Sequence, residues 1–115
     1  MTPAAPHDRP DPGPVFDALA DATRRTVLRS VAARASATAT ELASEVTVSR
    51  QAVVKHLQVL AEAGLVTADR HGREQRYRIT AAPLHDAVDW ITEVGAEWDD
   101  RLARLQQRVG ERPRF

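Results

Sequence analysis

Within ten residues, Ser49, Arg50, Gln51, Val54, Lys55 and Gln58 bring together a hydroxyl, two cations, two carboxamides and a branched aliphatic group. If the stretch is helical, Val53, Leu57 and Leu60 mark a packed side, and Arg50, Gln51, Val54, Lys55 and Gln58 fall on the other. These types match what duplex DNA offers. A guanidinium donates twice to a guanine edge, a carboxamide pairs with adenine, a valine methyl meets the thymine methyl, and a hydroxyl or ammonium holds phosphate. The same pattern describes an ordinary solvated helix face, so the stretch alone leaves both readings open. His56, at the edge of the packed side, suits a structural bond to nearby backbone as well as a phosphate contact.

A second group of cations, Arg70, Arg73, Arg76 and Arg78, surrounds His71 and Gly72. An arginine at a narrow hairpin tip beside a glycine is placed to enter a minor groove, and Arg73 is that residue. The plainer alternative is a charged edge that resists aggregation. Sixteen cations balance sixteen carboxylates, so the net charge is zero. That total conceals an uneven distribution. The middle of the chain is basic, whereas Leu84 to Asp100 holds six acids and no Lys or Arg. A basic face can therefore bind DNA despite the neutral sum.

Several chemistries are excluded or unsupported. The absence of cysteine removes disulfides, thiolate metal sites and thiol redox switches. No phosphate-binding glycine loop and no serine, histidine and acid arrangement is recognisable, so an enzyme is not expected. No cofactor or metal is expected either. No apolar run is long enough to span a membrane, and the start is not a signal peptide, so a cytoplasmic location is expected.

Positioning the two basic groups requires a definite order of elements. Met1 to Gly13, rich in proline, reads as a disordered tail. A folded unit over 14–109 follows, with 110–115 as a second tail. Val15, Phe16 and Leu19 suit a short first helix, and Asp21 caps a second running to about Arg34, with Arg24, Arg25 and Arg29 on its outer face. Ala35 to Ala39 reads as a loop, and Thr40 as the cap of a short third helix over Glu41 to Val46. Ser49 caps a fourth, Arg50 to Ala63, with Gly64 at its left-handed terminus. Two helices joined so closely form a helix-turn-helix candidate.

Leu65 to Arg70 and Glu74 to Ile79 read as strands around a turn at Gly72. Pro83 then opens a last helix over about 83–109. Its Leu84, Val88, Ile91, Gly95, Trp98, Leu102, Leu105 and Val109 alternate spacings of four and three, a seam for pairing with a second copy. The expected fold is mostly α with a small β-hairpin, a winged helix-turn-helix of five helices with the hairpin before the last. Val15, Phe16, Leu19, Leu84, Val88, Ile91, Trp98, Leu102 and Leu105 are the candidate dimer contacts. Trp90 is expected to rest on the wing or the second helix.

One resemblance covers nearly all of the folded unit, about Val15 to Val109. It is carried by Phe16-Asp17-Ala18-Leu19-Ala20-Asp21-Ala22-Thr23-Arg24-Arg25, Glu41-Leu42-Ala43, Ser49-Arg50-Gln51-Ala52-Val53, Lys55-His56-Leu57 with Leu60, Ala63-Gly64-Leu65-Val66, Gly72-Arg73-Glu74 and Arg76-Tyr77. In these the chain resembles the ArsR-type family of bacterial winged-helix repressors. The resemblance implies a homodimer through the first and last helices that covers operator DNA, commonly that of its own operon.

Two departures stand out: Thr47 where the family often has a turn glycine, and Val54 where it often has Ser or Thr. A β-branched residue resists positive φ, so Thr47 implies a different turn or local strain. The family's cysteine metal site is missing, its places taken by Ala43 and Glu45. His85, Asp86, Asp89 and Glu93 do not reproduce the last-helix site. The expected partners are double-stranded operator DNA with an inverted repeat and a second copy of the chain, with no membrane and no effector specified by any motif. Two alternatives stand beside this reading: a protein-interaction module gripping a partner through the acidic last helix, and a metal-responsive repressor using its carboxylates.

Overall fold

Local capping chemistry decides where each helix starts. In the computed structural model, which describes residues 11–111, α1 spans Gly13–Leu19 and α2 spans Ala22–Ala33. The Asp21 carboxylate accepts the Arg24 backbone N–H at 2.9 Å, closing the first turn of α2. The C-terminal carbonyls of α1 are satisfied from α2. Arg24 Nε donates to the Ala18 carbonyl at 2.6 Å, and Arg25 Nη1 to that of Leu19 at 2.6 Å. Two arginines expected on an outer face thus fasten the first two helices together.

The stretch expected as a loop contains a strand, β1, at Ala37–Thr38, followed by α3 at Ala39–Glu45. Thr38, not Thr40, is the cap. Its hydroxyl accepts the Glu41 N–H at 3.1 Å while its own N–H donates to Glu41 Oε1 at 2.9 Å, a reciprocal capping box. The turn after α3 needs no left-handed residue. Val46 is extended (φ −105°, ψ 129°), and the Val48 N–H donates to the Val46 carbonyl at 2.7 Å, a three-residue turn centred on Thr47. Among the described residues only Gly64 and Gly72 have positive φ, so Thr47 turns the chain without that strain.

Helix α4 spans Arg50–Glu62, opened by Ser49, whose hydroxyl accepts the Ala52 N–H at 3.1 Å. It ends in a Schellman motif. The Leu65 N–H reaches the Leu60 carbonyl at 2.9 Å and the Gly64 N–H reaches that of Ala61 at 2.9 Å, with Gly64 at φ 77°. The chain then enters β2, Val66–His71, and β3, Glu74–Ile79, one residue displaced from the expected first strand. His71 pairs with Glu74, so the tip is the two-residue loop Gly72-Arg73, with φ positive (63°) at Gly72 alone, the II′ pattern. The sheet is antiparallel in the order β1-β3-β2. The expected hairpin therefore gains a third strand, and Tyr77 lies between Ala37 and Ala68.

One core lies under these elements, built from Val27, Val31, Leu42, Val53, Leu57, Leu60 and Leu65, all fully buried. Val15, expected at a dimer surface, is also inside it at 4% exposure. The cause is the short α1, which presents Val15 and Ala18 to the chain's own interior. The last helix, α5, spans Ala82–Glu111, beginning and ending beyond the expected limits. Its Ala87 is buried and Leu84 packs on the core. Trp90 meets Phe16 of α1 edge to face, with ring centroids 5.4 Å apart, and not the wing or α2. The rest of α5 projects with its apolar side open. No helix among the described residues is long and apolar enough to cross a membrane. The expected tails fall largely on residues 1–10 and 112–115, outside the described residues, while Gly13, Gly110 and Glu111 are helical.

Candidate nucleic-acid interface

Because Val53, Leu57 and Leu60 are wholly buried, the opposite side of α4 must face outward. Arg50, Gln51, Lys55 and Gln58 are exposed there, and Val54 is half-buried among them. These five residues line one continuous surface. Ser49 stands at its head, with its oxygen already engaged in the cap. His56 is half-buried and lies near Asp21. The Asp21 carboxyl lies below the usual range, chiefly through the backbone N–H of Arg24.

Between α4 and the wing runs an open groove of about 800 Å³. Thr40, Arg50 and Val54 form its helical wall, and Arg70, Arg73 and Arg76 belong to its strand wall. Arg70 and Arg73 are exposed and enter no ion pair among the described residues, as is true of Lys55. Arg50 crosses the helix-turn-helix instead, its Nε donating to Thr40 Oγ1 at 3.1 Å.

Arg76 differs from Arg70 and Arg73 in being bonded within the chain. A candidate DNA contact by sequence, it has partners within the chain: Nε donates to Ser36 Oγ at 2.8 Å, Nη1 to Glu74 at 3.1 Å and Nη2 to Glu41 at 3.2 Å. Strand β1 causes this, because it pairs Thr38 with Arg76 and brings Ser36 and Glu41 beneath the wing. Arg78 is likewise paired, with Asp69 at 2.8 Å. On this side of the described residues, Arg50, Lys55, Arg70 and Arg73 are the cations that enter no ion pair, whereas Arg76 and Arg78 are paired.

Glu41, absent from the sequence-based site, is the hub beneath the wing. Oε1 accepts from Thr38 N–H and Arg76, and Oε2 accepts from Arg34 Nη1 at 3.2 Å. These donors, the Thr38 backbone N–H foremost, hold its carboxyl below the usual range. Arg34 also binds Glu45, which raises its own pKa. The signal was present as Thr38-Ala39-Thr40-Glu41, the S/T-x-x-E pattern of a capping box. His85, Asp86, Asp89 and Glu93 form no metal-holding group among the described residues.

A helix-turn-helix domain model matches residues 19–68, which include all of α2, α3 and α4. An uncharacterized HTH-type transcriptional regulator of Bacillus subtilis, YuzN, is 37% identical over 84 residues, covering 67% of this chain and 91% of that protein. The transcriptional repressor SdpR of the same organism is 29% identical over 77 residues, covering 67% of this chain and 84% of its own length. Among solved structures, an ArsR-like transcriptional regulator from Rhodococcus sp. RHA1 superposes with a TM-score of 0.75 at 42% identity, covering 84% of this chain and 90% of that one. The exposed face of α4, the adjoining wing and these likenesses agree: the chain belongs to the ArsR family of winged helix-turn-helix transcriptional regulators.

Proposed function

We propose that the chain is a homodimeric repressor that covers promoter DNA by reading an inverted repeat. The observation that carries this is the division of α4, with Val53, Leu57 and Leu60 sealed inside and Arg50, Gln51, Lys55 and Gln58 exposed together. Each subunit's α4 enters a major groove, the two half-sites about 10 base pairs apart, and Arg73 at the wing tip enters the flanking minor groove. Arg50 and Gln51 read base edges, Val54 touches a thymine methyl, and Ser49, Lys55, Gln58 and Arg70 hold the backbone.

The second copy is supported by the seam of α5. Val88, Ile91, Trp98, Leu102, Leu105 and Val109 are each about half exposed in the single chain, and a second seam covers them. Phe16, Leu19 and Leu84, half-buried at the base of this helix, border the same surface. Repression fits the name borne by the SdpR relative.

Gel-shift titration with the DNA upstream of the chain's own gene, in excess non-specific duplex, tests the reading, with sedimentation to count subunits. A shifted complex of two chains that resists the competitor is expected. Equal competition by random duplex overturns sequence-specific repression.

A further inference from the structure

The Thr40 to Arg50 contact spans the two helices of the helix-turn-helix, and both residues are exposed. Thr40 does not cap α3, since Thr38 does, and its side chain is exposed. Arg50 is the first residue of α4, where the helix dipole disfavours a cation. Two exposed groups nonetheless meet at 3.1 Å.

We propose that Thr40 is a positioning residue for base recognition, its hydroxyl fixing the Arg50 guanidinium so that Nη1 and Nη2 address one guanine edge. This rests on the reading of α4 as the base-reading helix. With Nε engaged by Thr40, and neither terminal nitrogen partnered among the described residues, only the Nη1/Nη2 edge remains for a two-bond contact. That edge matches guanine O6 and N7. A free arginine has many rotamers to lose on binding DNA, and one already held at Nε has fewer. Specificity at one base pair is thereby set partly by a residue on the preceding helix. Thr40 and Arg50 share a wall of the groove facing Arg73, so this orientation is imposed beside the DNA path.

The test begins by selecting a preferred site from randomised duplex with the full chain. Affinities for every single-base variant of that site are then measured for wild type, Arg50→Ala, Thr40→Val and Thr40→Ser. Arg50→Ala should lower discrimination at one base pair by about 5- to 150-fold. Thr40→Val, which keeps shape and loses the hydroxyl, should relax that same base pair by about two- to tenfold. Its melting temperature and its affinity for random duplex should not move, and Thr40→Ser should restore discrimination. If Thr40→Val weakens all duplexes alike, Thr40 is a phosphate contact and the proposal is wrong. Unchanged discrimination in Thr40→Val, beside a loss in Arg50→Ala, also overturns it while leaving base reading by Arg50 intact. A wild-type chain that selects no sequence overturns the operator reading itself, and this proposal with it.

Discussion

Arg76 Nη2 lies 3.2 Å from Glu41 Oε1, and this contact joins the central strand of the wing to the first helix of the helix-turn-helix. The wing is therefore not a free arm. It is held against α3 by the carboxylate that also completes the α3 cap.

Two arginines of the same hairpin should consequently behave in opposite ways. Arg76→Ala removes several partly buried hydrogen bonds and should lower the melting temperature by about 4 to 8 °C, equivalent to about 1 kcal/mol. The salt dependence of DNA binding should stay the same. Arg73→Ala should leave the melting temperature unchanged and make the plot of log affinity against log salt shallower by about one for each phosphate that the side chain neutralises. Calorimetry and binding isotherms at several salt concentrations separate the two. A shallower slope for Arg76→Ala would place that residue on DNA after all.

Acid should loosen the helix starts. Asp21 and Glu41 both have carboxyls held below the usual range, by the backbone N–H groups of Arg24 and Thr38 first of all. The unfolded chain therefore takes up protons at a higher pH than the folded one. Stability from these caps is complete above the ordinary carboxylate range and is lost as pH falls through the depressed folded values. Circular dichroism melts from pH 6 down to pH 3 should show a declining midpoint, and the double variant Asp21→Asn with Glu41→Gln should show a flatter decline. An equally steep decline in the double variant would assign the acid sensitivity to other groups.

The two tryptophans of α5 should report different things. Trp90 packs on Phe16 within the chain, whereas Trp98 is 57% exposed and touches Arg101, whose guanidinium carbon lies 5.5 Å from the ring centroid. Trp90→Ala should lower the stability of the single chain by about 1 to 3 kcal/mol. Trp98→Ala should leave the dilute chain folded and raise the dimer dissociation constant, about tenfold or more if the ring is central to the interface. Sedimentation over a concentration series reads the second effect. Full-strength association of Trp98→Ala would move the interface elsewhere.

Gly64 is the one glycine among the described residues that combines a positive φ with a close neighbour. It holds φ 77°, and an added Cβ would lie 3.3 Å from Pro83 Cγ. Gly64→Ala should cost about 1 to 2 kcal/mol from the left-handed backbone alone, a fall in melting temperature of about 4 °C or more. A thermal melt that matches wild type would show that the link between α4 and β2 relaxes more easily than its Schellman geometry implies.

Much of the architecture was legible in local pattern. Alternating spacings of Val53, Leu57 and Leu60 placed the buried side of α4, Ser49 and Gly64 marked its ends, and Gly72 marked the tip of the wing. Each of these signals acts over a few residues, through helical periodicity, capping or the sign of φ. Strand β1 was less legible because Ala37 and Thr38 are too few to display a period, and they become a strand only by pairing with Tyr77 and Arg76 about forty residues away. The sequence also could not separate free cations from paired ones.

What the sequence determined by itself is the kind of surface: a polar helix face beside an arginine-bearing hairpin, and a cysteine-free chain with an apolar seam in its last helix. Tertiary structure decided which members of those sets are available. It turned Val15 into the core, set Trp90 on Phe16, withdrew Arg76 to Ser36 and Glu41, and gave Arg50 a partner in Thr40. The physical reason is range. Periodicity and caps are settled among neighbours along the chain, but whether a charge meets DNA or a carboxylate depends on which distant segment the fold lays beside it.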